Sequence, residues 1–482
     1  MQHKILFLCL TLLSVSSINA QKHGYNGIQG YNSSNDPRFG GLRIDFNTEP
    51  PQLRKFETSM NFSLTCVTSS DSSGHLLFYS NGIRIFNKQH GLMENGDTIN
   101  PGSSWETFRN DGYALAYGAI SIPAPGKSNC YYIIHVGFQF GPQLAAISPM
   151  YSTLIDMNAN GGLGKVLEKN VVISTESLVL PVAVKHGNGR DWWIITGKAT
   201  TTTQYVYLVS PAGIEGPLVQ DFGLVSSFPE GGICTISPDG NTYIRSQLDD
   251  GVRIYDFNRC EGTLGNQRFI PKSFTTDLNG GFFSADSRMA YFFTSRSLYQ
   301  VDMQMLDTEA YIDTVVGTDY YADPAPPFLA LIGFPQVGPD DKIYLNNLNT
   351  TFNLHVIHHP ELPGASSDIQ LHGLHLPRVN GRTTFNLPYY KLGEWQGSPC
   401  DSLGFQQPND GFVRTWYEPE RWAPARQAGV KVVPLFPPGP PIDRDMWEHD
   451  PLLPTNACRA ALEKAQASKA KEELLQPGKD GH

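Results

Sequence analysis

Short apolar runs in which aromatic and β-branched residues stand side by side recur along the chain, each introduced by a polar turn. They are LLFYS (76–80), YYIIHV (131–136), WWIITG (192–197), TYIRSQ (242–247), AYFFTS (290–295) and IYLNN (343–347). Runs this short and rich in β-formers, with little polar alternation, predict strands buried on both faces. The turns before them, near Ser73, Gly126, Asn188, Asp239, Asp286 and Asp340, are separated by 53, 62, 51, 47 and 54 residues. SPDG, residues 237–240, has the Ser, Pro and Gly positions of a type I turn. A further strand pattern closes each unit: GIRIFN (82–87), YSTLIDMN (151–158), YVYLVS (205–210), VRIYDFN (252–258), SLYQVDM (297–303) and NLHVIHH (353–359).

A period near 50 residues built from antiparallel strands matches one propeller blade. Six units are explicit. GLRIDFN (41–47) resembles VRIYDFN without its preceding strands, while IQLHGLHLP (369–377) and TTFNLPYYK (383–391) have strand character with no complete unit after them. Joining these end fragments predicts an all-β propeller of seven blades, one of them closed by both termini, which removes exposed sheet edges. Composition agrees: Gly 46, Pro 35, Tyr 21 and Phe 26 with 17% charged residues suit a turn-rich β protein.

The ends of the chain read differently. Residues 1–20 have the layout of a signal peptide, with Lys4, an apolar run from Ile5 to Val15 and Ala20 before Gln21. Residues 38–400 are assigned to the propeller, 401–454 to a Pro-rich extended segment, and 455–482 to a helical or disordered tail. No later run reaches the roughly 20 apolar residues of a membrane span. The net charge of −10, with no Lys/Arg cluster, argues against nucleic acid as a partner.

The motifs SSDSSGHLLFYSNGIRIFNKQHGLMENG, VAVKHGNGRDWWIITG, CTISPDG, VGPDDKIYL and NLPYYKLGEWQGSPCDSLG together resemble the YVTN/WD-like propeller of secreted Gram-negative proteins that use type IX secretion, over about residues 38–405. The resemblance implies export, with a PKD module and a C-terminal sorting domain after the propeller. After Cys400 that pattern fails: TWYEPERWAP (415–424) is faintly PKD-like, and no second β-rich domain follows.

No nucleophile elbow, dinucleotide motif or phosphate loop opens a helix, so no catalytic residue is assigned. His355, His358, His359, His372 and His375 are the densest donors, but strand alternation sends His355 and His358 to opposite faces, and no metal site or cofactor is assigned. The Asp and Asn residues of 69–74, 156–162 and 338–342 are read as turn formers in preference to calcium ligands. Trp192 and Trp193 are expected to pack against the two neighbouring blades, with a sugar-stacking site as the alternative. Of the cysteines beyond the signal, Cys66 and Cys234 are expected as buried thiols, while the pairing of Cys130, Cys260, Cys400 and Cys458 stays open. The chain is thus expected to be an exported, non-catalytic binding or scaffold module. Its protein or glycan ligand would meet blade-end loops or the central channel, and an envelope partner its C-terminal tail. An enzyme working in the channel, or a subunit of an envelope complex, is the alternative.

Overall fold

The computed structural model describes residues 22–140, 145–223, 233–247, 251–271, 280–294, 297–306, 312–317, 331–347, 349–380, 384–385, 388, 392, 400 and 431–432. Seven small sheets follow one another along the chain as the blades of a propeller. Blade 1 is β1 (Asn26–Gly30), β2 (Gly41–Asp45) and β3 (Gln52–Phe56); blade 2 is β4 (Thr65–Ser70), β5 (Leu76–Ser80) and β6 (Ile85–Asn87). A linker with the short helix α1 (Ser103–Phe108) leads to blade 3: β7 (Ala119–Pro123), β8 (Cys130–Phe140), β9 (Ala145–Asp156) and β10 (Lys165–Ser174). Blade 4 is β11 (Val182–Lys185), β12 (Trp192–Gly197), β13 (Gln204–Ser210) and β14 (Gly213–Gln220). Blade 5 is β15 (Ile233–Ile236), β16 (Thr242–Gln247), β17 (Gly251–Asn258) and β18 (Thr263–Pro271). Blade 6 is β19 (Gly280–Phe283), β20 (Met289–Phe293), β21 (Ser297–Asp302) and β22 (Ile312–Gly317). Blade 7 is β23 (Ile332–Val337), β24 (Ile343–Asn347), β25 (Thr351–Ile357) and β26 (Ile369–Asn380).

The turns fold as their sequences dictate. Ser237 Oγ donates to Asp239 Oδ1, Gly240 N–H to Ser237 O (2.8 Å) and Asn241 N–H to Asp239 Oδ1 (3.0 Å), so one carboxylate ties the whole turn. Gly240 sits at φ +75°, where a side chain is strained. Ser284 and Asp286 repeat the arrangement one blade on.

The core is divided between the blades. Ile28, Met60, Cys66 and Tyr79 fill the space between blades 1 and 2, and Val67, Phe78, Tyr131 and Ile133 that between blades 2 and 3. The next two cores form around Tyr132, Ile134 and Trp192, and around Trp193, Leu208, Tyr243 and Tyr255. Ile254 with Phe283 and Phe292, then Phe293 with Phe334 and Leu345, continue the ring. Leu42, Ile44, Tyr344 and Leu354 close it between blades 7 and 1. Because neighbouring side chains of a strand point to opposite faces, consecutive large residues feed consecutive cores. Trp192 and Trp193 do this, as do Tyr131 with Tyr132 and Phe292 with Phe293.

Strands from both ends of the chain meet at the seam. Blade 1 holds the GLRIDFN strand as β2, in a three-stranded sheet of its own. The strand within TTFNLPYYK is β27 (Thr384–Phe385), which stands in the inner ring between β23 and β4, where blade 1 needs its inner strand. Its described pairing is parallel to β4, Thr384 opposite Thr65 and Phe385 opposite Cys66, in the neighbouring blade. IQLHGLHLP belongs to β26, the outer strand of blade 7. Arg378 of β26 fastens blade 1 from the other side, donating to Phe56 O (2.6 Å), Gly41 O (3.2 Å) and Glu57 Oε1 (2.6 Å). The proposed signal peptide and, apart from a two-residue strand at Lys431–Val432 beside β18, the segment after Cys400 lie outside the described residues.

Candidate functional site

A cavity of about 160 Å³ occupies the centre of the ring. Its wall is built by the inner strands β11, β15, β19 and β23, through residues such as Val182, Ile233, Phe282 and Val337. Tyr25, Tyr117, Thr235, Ser237 and Gln336 supply side-chain polar atoms, and among the described residues that line it none is Asp, Glu, His, Lys or Arg. Inner strands are short and present backbone edges and small apolar groups to the axis, while their larger side chains turn sideways into the cores. Such a wall accommodates an apolar group capped by one or two hydrogen bonds. Among its described residues no acid and base stand side by side.

One group of buried titratable side chains gathers at the end of the ring where inner strands turn into second strands. Lys185, His186 and Arg259 are all buried there. Arg259 donates from Nε to Lys185 O (2.9 Å) and from Nη2 to His186 O (3.3 Å), which joins blades 4 and 5. Burial, then the charge of Arg259, pushes the Lys185 ammonium down to about 8; burial likewise lowers Arg259 to about 10. Burial, reinforced by Arg259 and Arg190, drops the His186 imidazole to about 3, and its ring stacks on Trp193 at 5.0 Å. Lys185 stands 5.7 Å from the Trp192 ring centroid. His23, pushed down by burial and by Lys185 against the raising effect of the Ser70 carbonyl, hydrogen-bonds that carbonyl at 2.7 Å. Sequence reasoning singled out the strand at 192–197 and missed this group, because Arg259 comes from another blade and nothing in the local spacing marks it.

The C-terminal chain reaches the same end. Pro388 lines the cavity, Leu392 packs against the core between blades 4 and 5, and Cys400 forms a disulfide with Cys260, Cα to Cα 5.4 Å. Cys66 and Cys234 are buried free thiols, as expected, and Cys130 is a free, half-buried one. Cys458 lies outside the described residues.

The other predicted groups do not converge on one site among the described residues. His355 is buried with its ring 5.0 Å from that of His372, whose backbone N–H donates to His355 Nδ1 (3.0 Å). His358 faces Gln370 (3.0 Å), His359 faces Glu361 (3.7 Å), and His375 faces Asn353 (3.2 Å). Among the described residues no three His, Cys, Asp or Glu side chains converge on one point. The turn aspartates bind their own loops: Asp71 Oδ1 accepts from Ser73 N–H (2.8 Å) and His75 N–H (2.9 Å), and Asp156 Oδ1 from Asn158 N–H (2.8 Å). Trp192 and Trp193 are interior residues, 1% and 0% exposed, not a sugar platform on the surface. Among the described residues no helix is long and apolar enough to cross a membrane. Residues 224–232, 272–279 and 318–330 lie outside the described residues.

No family model matches the chain, and no curated protein matches it significantly. Among solved structures it is similar to a functionally unknown protein from Desulfotomaculum acetoxidans DSM 771, at 15% identity and TM-score 0.40, over 74% of this chain and 97% of that one. It is also similar to a proposed 6-phosphogluconolactonase from Bacteroides fragilis NCTC 9343, at 15% identity and TM-score 0.28, over 64% and 93% of the two chains. A third, from Bacteroides uniformis ATCC 8492 and described in the same terms, shows 11% identity and TM-score 0.29 over 60% and 94%. At these values the likenesses carry no functional argument.

Proposed function

We propose that this chain is an exported, non-catalytic binding propeller that presents a rigid ring to a protein or glycan partner through its blade-end loops and channel mouth. The observation that carries this reading is the channel wall. Hydrolysis of a lactone or glycoside asks for paired carboxylates, a poised acid and base, or a metal at the reacting bond. The wall offers valine, isoleucine, phenylalanine and proline with a few hydroxyl and amide groups. Its chemistry suits recognition of an apolar group better than bond cleavage. Export is supported by the Cys260–Cys400 disulfide, since such bonds persist in oxidising compartments.

The test uses the chain from Gln21 onward, assayed in parallel for saturable binding on glycan arrays and immobilised envelope proteins, and for turnover of lactones and glycosides. Binding without turnover is expected. Turnover abolished by Thr235→Arg, which would put a long cation into the cavity, would overturn the proposal.

A further inference from the structure

We infer that the Cys260–Cys400 disulfide is the lock of the propeller seam, so that the ring closes stably only after the chain has been oxidised. Three observations converge on this. First, β27 pairs with β4 of blade 2, Thr384 opposite Thr65 and Phe385 opposite Cys66, and also lies against β23 of blade 7, so this strand bridges the seam. Second, the chain beyond β27 leads away from its own blade. Pro388 enters the cavity, Leu392 lies beside Gly240 of blade 5, and Cys400 meets Cys260 in the turn between β17 and β18. In a ring of seven, blade 5 lies across the axis from blade 1, so this bond ties the seam to the opposite side. Third, the bond is built in: Cys260 is 0% and Cys400 4% exposed, and a Cβ on Gly187 would come within 2.5 Å of Cys400 Sγ and 3.0 Å of Cys260 Sγ. Only a glycine leaves room for the two sulfurs there.

Locking consumes an oxidant. The two thiols release two protons and two electrons to a disulfide-bearing thiol oxidant, whose own disulfide is reduced to a dithiol as the Cys260–Cys400 bond forms. The reduced chain keeps its blades but holds β27 by local pairing alone, and the seam opens without the rest of the ring unfolding.

The molecule carries its own reporters. Cys66 lies on β4 directly opposite Phe385 of β27, is 0% exposed and donates from Sγ to Ile28 O (2.9 Å). Cys234 is buried in blade 5 and contacts the Tyr243 hydroxyl at 2.9 Å. The test is pulsed alkylation of the native chain with peptide mapping by mass spectrometry, comparing wild type with Cys260→Ser/Cys400→Ser. Wild type is expected to show Cys260 and Cys400 linked, Cys130 reactive, and Cys66 and Cys234 both protected. In the double variant Cys66 is expected to react on the order of tenfold faster while Cys234 stays protected. Should the variant fail to fold, wild type treated with a dithiol under native conditions gives the same readout. Cys66 as protected as Cys234 after loss of the bond, or both thiols exposed together, would overturn the inference; so would free Cys260 and Cys400 in the exported protein. None of these outcomes depends on whether the proposed ligand binding is found.

Discussion

Replacing Trp193 tests the division of the core between blades. Its side chain is fully buried, and its Nε1–H donates to Arg259 O at 2.6 Å, a carbonyl that also accepts from Gly187 N–H at 3.0 Å. Trp193→Phe removes that donor, a loss of about 1 kcal/mol, since the carbonyl keeps its second partner. The smaller ring leaves roughly 40 Å³ unfilled, which at ~24 cal/mol per Å³ adds about 1 kcal/mol. The expected cost is thus about 2 kcal/mol, against roughly 3–5 kcal/mol for Trp193→Ala. Urea unfolding followed by circular dichroism at constant pH reads both values. A Trp193→Phe variant within about 0.5 kcal/mol of wild type would refute the packing argument, that being the range of surface substitutions. Loss of glycan binding at unchanged stability would restore the sugar-stacking alternative.

Two further outcomes follow from buried polar groups. His135 is fully buried between Asn100 Oδ1 (2.7 Å) and Thr153 Oγ1 (2.9 Å), and burial depresses its imidazole to about 3, as it does that of His186. Below pH ~6.5 the unfolded chain takes up protons that the folded one refuses, so stability present at pH 7 is lost as pH falls toward 3; each histidine costs about 2 kcal/mol by pH 5. His135→Gln is expected to flatten the pH dependence of the unfolding midpoint, and an unchanged slope would count against this assignment. Arg378→Met removes the donor to Phe56 O and Gly41 O at the seam, while the Glu57 partner is 72% exposed and its ion pair contributes little. A loss of about 2 kcal/mol is expected by calorimetry, and a melting temperature equal to wild type would remove the seam role of Arg378.

The parts of the fold that the sequence disclosed are those set by local chemistry. Serine, proline, aspartate and glycine at 237–240 determine a turn whatever surrounds them, and paired aromatics such as Phe292 and Phe293 announce a strand with two buried faces. The seam was partly legible: GLRIDFN and TTFNLPYYK were recognisable as strands, but the parallel pairing of Phe385 with Cys66 depends on ring geometry that no local pattern encodes. The Cys260–Cys400 bond spans 140 residues without a spacing signature, and Lys185, His186 and Arg259 converge only because blades 4 and 5 stack. The histidines of 355–375 illustrate the reverse: dense in sequence, they bring His355 and His372 together, while His358 and His375 face other partners.

The alternation of Trp192 and Trp193 between two cores has a consequence for how substitutions combine. These adjacent residues share a peptide bond yet pack in separate compartments, so their individual energetic effects should sum. Trp192 and Ile134, 58 positions apart, occupy one compartment and should show coupling in a double-mutant cycle. Proximity along the backbone is therefore a poor guide to epistasis in this molecule, and membership of a shared wedge between blades is the better one.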